Sequence, residues 1–142
     1  MHLTRYSDYA MRVLLYLGAR PERQCSIAEV AKAYGISQSH LMKVVSDLVQ
    51  AGYVASVRGR TGGIRLGMPP ERIVIGELVR RTEGSLALVD CANCLLAPGC
   101  GLACVLGEAM GAFLAVLDRH TLADVIARRP EALSRLVGEP FR

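Results

Sequence analysis

Four of the chain's five cysteines, Cys91, Cys94, Cys100 and Cys104, fall within fourteen residues, in the stretch Asp90-CANCLLAPGCGLAC-Val105, and the fifth, Cys25, stands alone. Thiolates bind iron-sulfur clusters and zinc and exchange with disulfides, so three chemistries are open to such a loop. A zinc ribbon wants two close pairs separated by a longer excursion, and only Cys91 and Cys94 have that spacing. A cluster tolerates irregular spacing and is commonly wrapped by a Gly- and Pro-containing loop that turns backbone amides toward the sulfides, which Ala97-Pro98-Gly99 supplies. Cys100 stands at the mouth of a long helix, where free amides and the helix dipole favour thiolate. Cys104 shares its face one turn later and is as readily a small buried hydrophobe as a ligand. Cys25, beside a helix start, reads as structural or inert. His2, His40 and His120 are scattered and no nucleophile-base pair is recognisable, which argues against an enzyme.

The elements that must position this loop are legible from composition and periodicity. A chain of 142 residues makes one domain, or a small domain with an appendage, and needs no disulfide to fold. Its net charge is +4, and the excess lies in the first half: residues 1–67 carry nine basic and four acidic side chains, residues 68–142 eight and nine. That asymmetry suits a polyanion-binding amino-terminal module joined to a neutral partner. The amino terminus holds Arg5, Asp8 and Arg12 inside its apolar pattern, unlike a signal peptide. No unbroken apolar run approaches the ~20 residues of a membrane span, Val13 to Leu17 being typical. We therefore expect a cytoplasmic protein with no membrane partner, in a reducing compartment where clustered cysteines mean metal or redox sensing.

Tyr6, Tyr9, Ala10, Val13, Leu14 and Leu17 form one stripe of a first helix that Gly18 should end. Ser26-Ile-Ala-Glu29 has the form of a capping box opening a second helix, with Ile27, Val30, Ala31 and Tyr34 inward. Gly35 breaks it, Ser37 offers a new cap, and Leu41, Val44, Val45, Leu48 and Val49 continue at helical spacing to Gly52. Two helices across a three-residue turn have the spacing of a helix-turn-helix, whose second helix would present Ser37, Gln38, Ser39, His40 and Lys43 to a major groove. Tyr53 to Val57 and Ile64 to Leu66 alternate as strands around Arg58-Gly-Arg-Thr-Gly-Gly63, a hairpin whose Arg58 and Arg60 can follow the phosphate backbone. That loop lacks both nucleotide-binding patterns, GxGxxG and a GKS or GKT end. A fourth helix is expected over Gly76 to Glu83. Val105, Leu106, Ala109, Met110, Phe113, Leu114 and Leu117 then stripe a long helix that most economically buries itself against its own copy. Thr121 to Arg128 makes one more short helix, and the tail from Pro130 is uninformative. The predicted fold is mainly α (α+β), a winged helix-turn-helix over residues 1–83, a cysteine-rich loop over 84–101, and a dimerisation helix with tail over 102–142.

The segments LTRYSDYAMRVLLYL, SIAEVAKAYGISQSHLMKVVSDLVQAGYVASVRGRTGGIRL and IGELVRRTEGSLALVDC resemble the NsrR-type nitric-oxide-sensing iron-sulfur repressors, of the superfamily that includes IscR. The wing pattern GYV-x3-RG-x2-GGI-x-L carries the superfamily, and Asp8 together with a three-cysteine loop carries the branch. The resemblance implies a homodimeric repressor of double-stranded promoter DNA that senses nitric oxide and releases its promoters on nitrosylation. It implies a 2Fe-2S or 4Fe-4S cluster on Cys91, Cys94 and Cys100, with Asp8 from the partner subunit as an oxygen ligand and Arg12 placed to neutralise or orient it. This chain departs from the branch in the shorter Cys91–Cys94 spacing and in Cys104, which competes with Asp8 for the fourth position. Related branches sense iron-sulfur status or thiol oxidation, the alternative signal.

Overall fold

The computed structural model describes residues 1–138. Its order is α1 (Arg5–Gly18), α2 (Ile27–Tyr34), α3 (Gln38–Gln50), β1 (Val54–Val57), β2 (Gly63–Leu66), a 3-10 turn (Pro70–Arg72), α4 (Ile75–Thr82), α5 (Gly101–Asp118), α6 (Leu122–Arg128) and α7 (Pro130–Val137). The fold is mainly α with one two-stranded antiparallel sheet, the winged helix-turn-helix expected from the periodicity.

Thr4 starts α1 by accepting from the Ser7 amide, and the stripe it sets in register, Ala10, Val13, Leu14 and Leu17, is buried. Gly18, expected to stop the helix, lies within it, and Ala19 is the cap. A Cβ at Gly18 would stand 2.6 Å from Ile126 Cδ1, so this glycine serves the approach of α6 rather than a helix end. Ser26 caps α2 as expected, its Oγ accepting from the Glu29 amide at 3.0 Å. The Glu29 carboxylate, expected to reach back to Ser26, accepts principally from Tyr16 Oη at 2.8 Å and from Arg23. Gly35 ends α2 at φ 65, a left-handed conformation that only glycine adopts at little cost. Ser37 precedes α3 without capping it through its side chain; its Oγ pairs with Ser39 Oγ at 2.9 Å.

From α3, Leu41, Val44, Val45 and Leu48 enter one core with the α1 stripe, Val30 and Ala31. Each of the buried Val and Leu side chains contributes about 1.5–3 kcal/mol by leaving water, so α1, α2 and α3 are held on one core. The hairpin pairs Val54 with Leu66 and Val57 with Gly63. Tyr53 stays outside β1 because its amide closes the end of α3 on the Leu48 carbonyl at 3.0 Å. Cys25 extends the wing by one rung: its amide donates to Ile64 O at 2.9 Å, and the Ile64 amide returns to Cys25 O at 2.7 Å.

The later helices return to this body. The Ile75 amide donates to His120 O at 2.9 Å, the Leu122 amide to Ile73 O at 2.8 Å, and Leu122 is buried. α4 starts one residue before the expected Gly76 and ends at Thr82, leaving Glu83 as its cap. A complete capping box, Thr121 with Asp124, opens α6. The tail contains a helix the sequence did not announce, α7, whose Pro130 suits a first helical position and whose Leu136 carbonyl accepts from Arg20 at 3.2 Å. Residues 139–142 of the expected C-terminal region lie outside the described residues.

α5 is the longest helix, and of its 18 residues none is buried. It packs against α4, anchored by the two-pronged Arg80–Asp118 ion pair, and a Cβ at Gly76 would collide with Asp118 Oδ1 at 1.9 Å. Leu106, Met110, Leu114 and Leu117 are half-buried, whereas Leu102 at 63 %, Val105 at 60 % and Val116 at 45 % stay exposed. By length and composition α5 passes as a membrane span, with mean hydropathy 1.7 over its 18 residues. The expectation that no segment is long and apolar enough to span a membrane is thereby corrected: Gly107, Glu108 and Gly111 break the apolar run of α5 without lowering its mean hydropathy below that of a span.

Candidate DNA interface and cysteine centre

The amino-terminal turn of α3 presents Ser37, Gln38, Ser39 and His40 to solvent, and Lys43 follows one turn later on an exposed position. These residues are polar because the opposite side of the same helix holds Leu41, Val44 and Leu48 in the core. The free amides of the first turn add positive potential there. Arg58 and Arg60 stand exposed on the hairpin tip, and neither makes an ion pair among the described residues. Arg65, missed in the sequence reading, is exposed on β2 beside buried Ile64. The signal was available, since strand alternation turns 65 outward when 64 turns inward.

The cysteine loop runs from the end of α4 to the start of α5. The Cys94 amide donates to Cys91 O at 3.3 Å and the Ala97 amide to Cys94 O at 3.2 Å, so two successive turns carry the first two thiols. Cys100 is the N-cap of α5 without a side-chain cap bond, and the Cys104 amide closes the first turn on Cys100 O at 3.4 Å. All four thiols are free; Cys91 and Cys100 are half-buried, Cys94 and Cys104 exposed. Cys25 is 1 % exposed, and burial pushes its thiol pKa up, against a reactive role. Among the described residues no three His, Cys, Asp or Glu side chains converge within the single chain into a metal cage.

Asp8 lies in the first turn of α1, half-exposed, accepting from Arg12 Nε at 2.9 Å. Arg12 in turn sits over the Tyr34 ring, 5.6 Å from its centroid, and Tyr34 Oη donates to the Arg12 carbonyl at 2.9 Å. Tyr34 is the last residue of α2, directly before the turn that aims α3. Sequence spacing foresaw Asp8 with Arg12, whereas the Tyr34 contact spans 22 residues and left no local signal.

A helix-turn-helix, a wing with a basic tip and a thiol-bearing loop are thus joined in one small fold, and residues 3–128 match the family model described as Rrf2, iron-dependent transcriptional regulator. This chain belongs to the Rrf2 family. As a member of it, the protein is a DNA-binding transcriptional regulator and not an enzyme. It is 50 % identical to the HTH-type transcriptional regulator NsrR of Bacillus subtilis, over 96 % of this chain and 97 % of that protein. It is 48 % identical to the NsrR of Geobacillus kaustophilus over the same shares. Among solved structures, CymR, the global cysteine regulator of B. subtilis, matches with TM-score 0.77 at 27 % identity, over 90 % of this chain and 98 % of that one. IscR of T. potens matches with TM-score 0.77 at 28 % identity, over 93 % and 90 %. The donor set of this Rrf2 chain fits an iron-sulfur cluster in chemistry: soft, unpaired thiols in a turning loop at the amino end of a helix.

Proposed function

We propose that this Rrf2 regulator is a homodimeric repressor that holds an iron-sulfur cluster on Cys91, Cys94 and Cys100, completed by the partner subunit's Asp8, and releases promoter DNA in response to nitric oxide. One observation carries the reading: four free thiols stand within fourteen residues at the head of a long apolar helix with no buried residue. The similarity to proteins named NsrR supports the choice of signal. The cluster would supply iron that binds nitric oxide.

Every other part belongs to the chain. Leu102, Val105 and Val116 offer α5 for pairing with a second copy, because a large exposed apolar face is unstable in water. Beside it a groove of about 590 Å³, lined by Met1, Leu3, Leu86, Leu88, Met110 and Phe113, extends that surface. Gln38, Ser39, His40 and Lys43 read base edges, while Ser37, Arg58 and Arg60 fix the register on phosphates. Asp8 is held by Arg12 when it has no other partner, and Arg12 bears on Tyr34 and the turn before α3. Moving Asp8 therefore changes how two α3 helices meet successive major grooves, about 34 Å apart. A coupling of about 1–3 kcal/mol changes occupancy roughly five- to 150-fold.

The test is an anaerobic purification with an absorption spectrum, an iron and sulfide count, and DNA affinity measured before and after stoichiometric nitric oxide. Colour, acid-labile sulfide and weakened binding on nitric oxide are expected; colourless protein that binds DNA equally tightly would defeat the proposal. The Cys91–Cys94 turn favours one second reading, a thiol-redox switch closing a disulfide between them, and in that case an oxidant would change affinity in metal-free protein.

A further inference from the structure

We propose that Glu83 is a positioning residue that joins the root of the cysteine loop to the DNA-reading unit, by clamping the amino terminus of α1. This rests on the reading above and names the path by which the loop acts within its own subunit.

Glu83 is the residue at which α4 ends and the chain turns into Gly84 and the loop. Its Oε1 accepts from the Thr4 amide at 2.8 Å, from Thr4 Oγ1 at 2.9 Å and from Ser7 Oγ. The preceding Thr82 is buried and places its Oγ1 2.7 Å from the Oγ of fully buried Ser7. One carboxylate oxygen thus gathers three donors from the first turn of a helix 76 to 79 residues away. α1 does not need this acid to begin, because Thr4 already accepts from the Ser7 amide. A negative charge beside that terminus also favours the helix dipole, so the contact resists displacement.

The neighbours of Ser7 explain what such a clamp does. Tyr6, one residue before, donates its hydroxyl to Asp47 of α3. Asp8, one residue after, is held by Arg12, which reaches Tyr34 at the end of α2. Of three consecutive residues of α1, Tyr6 therefore touches the reading helix, Ser7 the loop root, and Asp8 is itself the candidate ligand. A shift of Glu83 with the loop moves Ser7, and the rigid first turn of α1 carries Tyr6 and Asp47 with it. A mere staple would hold the fold together equally in both states of the loop, whereas a joint changes the difference between them.

The experiment compares Glu83→Ala, Glu83→Gln and Ser7→Ala with wild type as full-length dimers, cluster-loaded and cluster-free. It uses a duplex selected from a random-sequence pool by the wild-type protein. Read together are cluster absorbance, thermal midpoint and the ratio of DNA affinities in the two states. Glu83→Ala should keep its colour and lose most of the wild-type ratio, falling at least fivefold or to one. Glu83→Gln, which keeps an acceptor oxygen for Thr4 and Ser7, should restore most of it. Ser7→Ala, the milder change should Glu83→Ala not fold, should lower the ratio partly. A wild-type ratio in a destabilised Glu83→Ala or Ser7→Ala protein would overturn the proposal, as would bleaching of Glu83→Ala, which would make the residue a ligand. A ratio of one in the parent protein would instead refute the function proposed above, and is read before any variant is made.

Discussion

Replacing Gly63 by alanine tests whether the wing owes its placement to Cys25. A Cβ at this position would stand 2.6 Å from the Cys25 carbonyl oxygen and 3.1 Å from its carbon, both backbone atoms that cannot rotate aside. The strand must back away, and the two bonds between Cys25 and Ile64, now 2.9 and 2.7 Å, lengthen. Overpacking costs about 1–3 kcal/mol, and each weakened backbone bond about 0.5–1.5 kcal/mol. A total of about 2–6 kcal/mol lowers the melting midpoint of a chain this size by roughly 6–24 °C. Because Arg58 and Arg60 ride on the displaced hairpin, DNA affinity should fall and its dependence on salt should flatten by up to about two phosphate contacts. Circular-dichroism melting and fluorescence anisotropy across a salt series read both effects. A variant melting within about 1 °C of wild type would show that the wing is not tied through Cys25. Full DNA affinity in a protein that melts early would show that the wing takes no part in binding.

Arg58→Ala and Arg60→Ala should each weaken binding to every duplex and reduce the salt slope by about 0.9, and an effect confined to one sequence would exclude a phosphate role. Serine at Cys91, Cys94 or Cys100 should remove the visible absorbance of anaerobic protein, while Cys25→Ala keeps it; Asp8→Ala and Cys104→Ala, compared by spectrum and cluster lifetime, decide which supplies the fourth ligand. Arg23, then the Tyr16 hydroxyl, draw the Glu29 carboxyl from 4.5 down to about 2. A depressed carboxylate stabilises fully above its unfolded value, so its contribution should be lost as pH falls from about 4.5 toward 2, flattened in Glu29→Gln and, given partial exposure, within about 1 kcal/mol. Val105→Glu and Phe113→Glu should each yield a folded monomer in sedimentation, and dimers in both would place the interface elsewhere than on α5.

The sequence alone determined the reading module and where the thiols gather. Four clustered thiols are written in the chain itself and single out the loop as the candidate site, and apolar spacing with Gly35 as punctuation specified α1, α2 and α3, because those signals are satisfied within a turn or two of chain. Alternation determined the hairpin, although its first strand begins at Val54 because the end of α3 claims the Tyr53 amide. Tertiary structure alone decided which polar groups meet. Ser37 occupies the N-cap of α3 but pairs its hydroxyl with Ser39, Glu29 serves Tyr16 and Arg23, and Glu83 finds Thr4 across 79 residues. Gly18 and Gly76 are small for α6 and for Asp118, elements the local sequence cannot see. The physical reason is range: helix and strand periodicity is written by hydrogen bonds between near neighbours, whereas a carboxylate's partner or a glycine's clearance depends on which distant segment the shared core brings alongside.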